Sequence, residues 1–305
     1  MHKFKKVKKW IGLLAILVST QSILSQQHSI PLYDGPIPNS KKAPAGYAEI
    51  TDSFNQVRMV TQPSLLPFFP APGKSKGTAV IIFPGGGYFL LSLDACIEIA
   101  KGLSNEGITA FIAKYRLPHD SIMQQKSIGP LQDAQAAIRL VRKNAQAWHI
   151  NPQKVGMMGL SAGGHLVSTA ATQLGKIVID NPDNTDLRPN FIALLYPVII
   201  YDPAIPRTRE NLIGKSPDST TLRLYSTNDQ VTPQTPPSFL VHAIDDDVIP
   251  VRNSIAFFNA LLSKNVKTEI HLLQSGGHGF ALTDLPSQQQ WFCFFLSWLK
   301  ENGFR

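Results

Sequence analysis

The chain is poor in cysteine: Cys96 and Cys293 are the only two among its 305 residues. Two cysteines cannot hold a zinc ion alone or frame a disulfide scaffold. Charge is also scarce. Asp, Glu, Lys and Arg make up 16% of the residues against 43% hydrophobic, which excludes a disordered chain. No fixed-period repeat is present, so solenoid and collagen-like folds are excluded. No apolar run reaches the roughly 20 residues that span a bilayer. The sequence also lacks a G-x-x-x-x-G-K-[ST] phosphate loop and an H-E-x-x-H pair. Nothing in it therefore asks for a nucleotide or a metal, and no cofactor is expected.

Acidic residues are missing altogether from residues 1–25, which hold Lys3, Lys5, Lys6, Lys8 and Lys9. An apolar run, Trp10–Val18, follows, and then Ser19, Thr20, Ser22 and Ser25. That is the three-part layout of a secretory signal peptide, with cleavage expected after Ser25. An uncleaved amphipathic anchor is the other reading of the same pattern. The net charge of +8 is concentrated here: without this segment 24 basic and 21 acidic residues remain, a balance of +3. Nucleic acid is therefore not an expected partner. The expected location is periplasmic or secreted, without stable membrane insertion after cleavage.

Residues 26–46, rich in Pro, Ser, Lys and Gly, read as a leader to one domain covering 47–305. Residues 48–51, 56–61 and 65–71 read as edge strands, the last because Pro67 and Pro70 suit an edge. Thr78–Phe83 is a continuous apolar run, as in a strand buried on both faces. Strands are then expected at 109–113, 154–159, 191–200, 238–244 and 268–273. Helices are expected at 92–106, 129–148, 162–174, 251–261 and 288–299. This alternation predicts an α/β fold with a mostly parallel central sheet and helices on both faces. Residues 176–190 and 201–237 read as irregular, the second long enough to form a small cap.

Two glycine-bearing motifs stand at strand ends. Gly159-Leu160-Ser161-Ala162-Gly163 is a G-x-S-x-G that a strand enters and a helix leaves, the setting of a nucleophile elbow. A serine that merely caps the helix at Ala162 is the alternative. Pro84-Gly85-Gly86-Gly87-Tyr88 follows the strand Thr78–Phe83. Glycines there allow unusual dihedrals and close approach of backbone N–H groups to a negative oxygen.

With these motifs the chain resembles the α/β-hydrolase superfamily. More narrowly, it resembles bacterial acetylxylan esterases and feruloyl-esterase-like (BD-FAE-like) domains. The resemblance spans roughly residues 76 to 303. It rests on PGGGY (84–88), YRLP (115–118), DAQAAIR (133–139), GLSAGGHL (159–166), TPPSFLVHAIDDDVIP (235–250) and GGHGF (276–280). Pro84 departs from the histidine that many relatives carry. The resemblance implies an α/β-hydrolase fold with a small cap or none, and a serine carboxylesterase acting on small acyl esters, acetyl above all, of xylan or related fragments.

It also implies the order nucleophile, acid, base. Ser161 is then the nucleophile. Asp246 is the acid, with Asp245 next in line. His278, in a loop that lets an imidazole swing, is the base. Of the other histidines, His2 and His28 fall in the leader and His119 and His149 in connections. His165, His242 and His271 read as packing residues. Gly86, Gly87 and Ala162 are the expected oxyanion donors. Tyr88 either lines the acyl pocket or packs behind the oxyanion loop. Arg116 and Asp133 are read as a pair that braces the fold. Cys96 and Cys293 fall on helices that this fold puts on one face of the sheet, where two separate buried thiols or a disulfide both fit. Other readings of the same triad are a feruloyl esterase, a formamidase, a lactonase or a peptidase. A non-catalytic binding protein on a hydrolase scaffold is the reading outside enzymes.

Overall fold

The run Ala79–Phe83 is buried at every position, and the other elements are arranged around it. The structure is a computed structural model that describes residues 29–201, 206–282 and 286–305. The strands are β1 (Ile30–Pro31), β2 (Ile50–Thr51), β3 (Gln56–Arg58), β4 (Ser64–Phe68), β5 (Ala79–Phe83), β6 (Leu91–Ser92), β7 (Thr109–Lys114), β8 (Val155–Leu160), β9 (Ile192–Leu195), β10 (Ser238–Ala243) and β11 (Thr268–Leu273). The helices are α1 (Asp94–Asn105), α2 (Gly129–Lys143), α3 (Ala162–Thr172), α4 (Pro206–Ile213), α5 (Ser219–Tyr225), α6 (Arg252–Ser263) and α7 (Pro286–Glu301).

Eight strands form one sheet in the order β1-β4-β7-β5-β8-β9-β10-β11. The two outer pairings, β1 with β4 and β4 with β7, are antiparallel, and all the others are parallel. A smaller sheet, β2-β3-β6, lies apart from it. Alternate side chains of β5 serve two cores. Ala79, Ile81 and Phe83 join α2, α3 and α6 through Leu131, Ile138, Leu166, Val167 and Phe257. Val80 and Ile82 join α1 and α7 through Ile99, Leu103, Trp291 and Phe295. The period-two alternation of a strand thus feeds both helical layers, and this is the α/β-hydrolase fold.

Several expectations shift at the edges of elements. The helix expected over 129–148 ends at Lys143, because Asn144 donates its side-chain amide to the Leu140 carbonyl (2.9 Å) and closes the last turn. The strand expected over 191–200 is only Ile192–Leu195. The segment read as irregular at 201–237 carries α4 and α5, a small cap. Both cysteines are free thiols. Cys96 faces the core, whereas Cys293 is exposed on α7 rather than buried.

Residues read as a leader are built onto the domain from residue 29 onward. β1 adds to the sheet edge, and the Tyr33 hydroxyl donates to Asp133 (2.9 Å). The expected signal peptide lies outside the described residues. Among the described residues no helix is long and apolar enough to cross a membrane.

The YRLP and DAQAAIR motifs meet at Arg116 and Asp133. Both side chains are buried, with Nη2 2.7 Å from Oδ1. The Arg116 backbone N–H also donates to Asp133, and its Nη1 donates to the Pro38 carbonyl. Burial works against the guanidinium charge, but Asp133 outweighs it and holds Arg116 above its ordinary pKa. Removing one partner leaves a buried charge without compensation. Asp133→Ala is expected to lose about 3–5 kcal/mol of stability, measured as the shift in urea unfolding followed by tryptophan fluorescence. A loss within about 1 kcal/mol, the value of a surface pair, would contradict this account.

Candidate active site

β8 is buried throughout and ends at Leu160, and α3 begins at Ala162. Between them Ser161 has φ 54° and ψ −119°. A non-glycine residue with positive φ is strained and persists only where its surroundings hold it. Here Ser161 N–H donates to Leu195 O (3.0 Å), and Ser161 O accepts from Val198 N–H (3.1 Å). The turn requires the glycines of the motif. A methyl group on Gly163 would meet the Phe83 carbonyl, and one on Gly159 would meet the Gly163 carbonyl. The Ser161 hydroxyl makes no capping bond to α3. It points to His278.

Three residues far apart in sequence are joined. His278 Nε2 is 2.9 Å from Ser161 Oγ, and His278 Nδ1 is 2.7 Å from Asp246 Oδ2. An ionised carboxylate can only accept, so Nδ1 carries the imidazole proton and Nε2 accepts from the serine hydroxyl. Asp246 is buried in the turn that follows β10. Burial opposes its charge, but hydrogen bonds from His242, His278 and the Ile249 N–H outweigh that and hold its carboxyl well below the usual range.

His242, read from the sequence as a packing residue, is also a partner of Asp246. Its Nε2–H is shared between Asp246 Oδ2 (3.1 Å) and the Ile249 carbonyl (2.9 Å), while Nδ1 accepts from the Ser254 hydroxyl (2.8 Å). Asp245, the second candidate acid, is exposed and turned elsewhere. It accepts from the N–H groups of Gly276 (3.2 Å) and Gly277 (2.8 Å), and so ties down the loop that presents His278. Asp247 is exposed.

Gly86, Gly87 and Tyr88 all have positive φ, at 123°, 61° and 58°. The tight turn is closed by Phe89 and Leu90 N–H groups, both donating to Gly86 O. Ala162 is the first residue of α3, whose N–H has no intrahelical acceptor. Of these three candidate donors, Gly86 and Gly87 line the same cavity as Ser161, and Ala162 follows it at the start of α3.

Of the two readings of Tyr88, the pocket reading is not what the structure holds. Tyr88 is buried behind the loop, and its hydroxyl donates to His165 Nδ1 (2.9 Å). Its ring also meets Tyr115 edge-on. His165 Nε2–H donates to the Tyr225 carbonyl (2.8 Å), and Tyr201 stacks on the imidazole at 4.2 Å.

A cavity of about 490 Å³ opens above Ser161 and His278. Its lining is mostly apolar: Phe89, Leu90, Leu160, Tyr196, Val248 and Ile249, with Arg207 and Thr208 from α4. No cluster of three or more His, Cys, Asp or Glu able to hold a metal occurs among the described residues.

Residues 68–261 match the BD-FAE family. The chain belongs to that family. It is 36% identical over 216 residues to an acetylxylan esterase of Xylanibacter ruminicola, which is 68% of this chain and 42% of the relative. It is 32% identical over 215 residues to an endo-1,4-beta-xylanase B of Butyrivibrio fibrisolvens, 68% of this chain and 33% of the relative. The chain thus spans less than half the length of these curated relatives. A crystal structure of an acetyl ester-xyloside bifunctional hydrolase from Caldicellulosiruptor lactoaceticus is similar at TM-score 0.76 and 31% identity, covering 91% of this chain and 97% of that one.

Within this BD-FAE chain, the sequence reading missed His242, Phe89, Val248 and Arg207. His242 was legible in principle, because it lies near the end of β10, four residues before Asp246. Phe89 and Arg207 carry no motif; only the fold brings them to the cavity.

The buried histidine sets a pH dependence. Burial pushes His165 down to about 4 from 6.5, against the hydrogen bond to the Tyr225 carbonyl. Between those values the unfolded chain binds a proton that the folded chain refuses, so stability falls as the pH falls through that window. The loss is expected to reach about 3 kcal/mol at most. Thermal unfolding at pH 7, 5.5 and 4.5 should show the decline, and His165→Gln should flatten it. An equal decline in His165→Gln would assign it to other groups.

Proposed function

We propose that the chain is an exported serine carboxylesterase that removes small acyl groups, acetyl in the first place, from xylan or related polysaccharide fragments. The observation that carries the reading is one imidazole, His278, hydrogen-bonded on one side to Ser161 and on the other to a buried carboxylate, Asp246. The esterase names of the similar proteins support the reaction class. The residue pattern of 1–25, a basic stretch, an apolar run and then small polar residues, supports export.

In this mechanism His278 Nε2 takes the Ser161 proton as Oγ attacks the ester carbonyl carbon. Asp246 keeps the proton of His278 on Nδ1 and stabilises the imidazolium that forms. N–H groups of Gly86, Gly87 and Ala162 donate to the oxyanion. The tetrahedral intermediate then expels the alcohol, which takes the proton from His278 Nε2. Water, deprotonated by the same nitrogen, attacks the acyl-serine, and Ser161 leaves with its proton restored. The apolar cavity keeps bulk water from the charges that develop.

The test is hydrolysis of p-nitrophenyl acetate, butyrate and longer esters by the wild type, Ser161→Ala and Asp246→Asn. The expected result is fastest turnover of acetate, a loss of roughly 10⁴-fold or more in Ser161→Ala, and about 10²–10⁴-fold in Asp246→Asn. Undiminished activity in Ser161→Ala would overturn the reading. A flat profile along the ester series would remove the preference for acetyl.

A further inference from the structure

We propose that Arg207 selects esters whose alcohol portion carries a carboxylate, as an acetylated acidic oligosaccharide does. The inference rests on the esterase reading of Ser161 and His278, and it deepens that reading by naming a substrate feature.

The helix α4 is seated on the loop after β5. Asn211 Nδ2 donates to the Gly87 carbonyl at 2.8 Å. Thr208, buried one turn earlier, places its Oγ1 3.6 Å from where a Gly87 Cβ would stand, and the Arg207 Cδ is 3.8 Å from the same point. Two anchors therefore fix where the Arg207 stem crosses the oxyanion loop. Arg207 is exposed and lines the cavity.

Among the described residues that line the cavity, Arg207 alone carries a fixed charge, and none is Asp or Glu. Among the described residues no carboxylate pairs with it: Glu210, the acid of α4, pairs with Arg209. A solvated arginine in an otherwise apolar mouth is a site for an anion. Its planar fork matches a carboxylate in two parallel hydrogen bonds.

Depth assigns the anion to the alcohol side. Leu160, Ile249 and Ser161 are buried at the cavity floor, whereas Phe89, Val248 and Arg207 are exposed at its mouth. A volume of about 490 Å³ far exceeds an acetyl group. The acyl group is taken at the floor and the alcohol points outward, past Arg207.

The experiment measures acetate release from an acetylated aldobiouronic acid and from its methyl ester, in which the carboxylate is masked. Mono-p-nitrophenyl succinate against p-nitrophenyl butyrate places the charge on the acyl side instead. Wild type, Arg207→Gln, Arg207→Glu and Ser161→Ala are compared at low and at 0.5 M salt. The expected result is about a tenfold preference in kcat/KM for the free uronate over its methyl ester. That ratio should fall within twofold in Arg207→Gln, invert in Arg207→Glu and shrink in salt. An equal rate on the two sugars in the wild type, or a preference kept in Arg207→Gln, overturns the inference. A preference for the succinate alone overturns the assignment to the alcohol side. If wild type and Ser161→Ala are equally inactive on every ester, including p-nitrophenyl butyrate, the esterase reading itself fails and this inference falls with it.

Discussion

The strained backbone at Ser161 is the constraint on which the rest of the site depends. A left-handed serine between a buried strand and a buried helix costs of order 1–3 kcal/mol, and surrounding structure must over-determine it. Here the restraint comes from all sides. Leu195 O at the end of β9 and Val198 N–H just beyond it hold the two ends of the residue. Phe83 and Gly163 are so close that neither Gly159 nor Gly163 admits a side chain. The parallel order β5-β8-β9 brings the glycine loop after β5, the turn at Ser161 and the Leu195 carbonyl to the same edge. The hydroxyl is thereby fixed at a sheet edge, over an apolar cavity.

The electrostatics follow from that position. Asp246 is buried yet ionised because three N–H donors converge on it besides His278: His242 Nε2, Val248 N and Ile249 N. Such a carboxylate has no acceptor capacity to spare for water and keeps the imidazole in one orientation. Asp245, next to it, works on the backbone of the same loop through Gly276 and Gly277. Two consecutive aspartates thus divide the task. One orients the ring and the other anchors the segment that carries it. Behind the glycine loop after β5, His165 ties Tyr88 to the cap through Tyr201 and the Tyr225 carbonyl. The cap and the glycine loop are therefore one hydrogen-bonded unit.

Much of this was legible in the residues. Long apolar runs such as Thr78–Phe83 announced a doubly covered sheet, and the G-x-S-x-G between a strand and a helix announced the elbow. The strand-end positions left Asp245 and Asp246 both open as the acid, and the choice of Asp246 in the order Ser161, Asp246, His278 came from the family resemblance. What stayed illegible depends on contacts between distant segments. Residues 29–46 look like a polar tail, yet Tyr33 and Pro38 complete the burial of Arg116 and Asp133. Tyr88 next to a glycine loop offers no hint of which way its ring turns; the positive φ at Gly86 and Gly87 sends it inward, towards His165. Arg207 and Asn211 lie in a segment with no apolar period, so neither the helix nor its seat on Gly87 could be read from it.

The most direct test of the central claim is covalent. The folded chain is treated with a serine-directed fluorophosphonate, digested, and mapped by mass spectrometry, beside His278→Ala. The account predicts a single adduct on the peptide containing Ser161, formed within minutes and nearly absent in His278→Ala. A folded protein that takes no label at Ser161, or takes it equally without His278, would contradict the account.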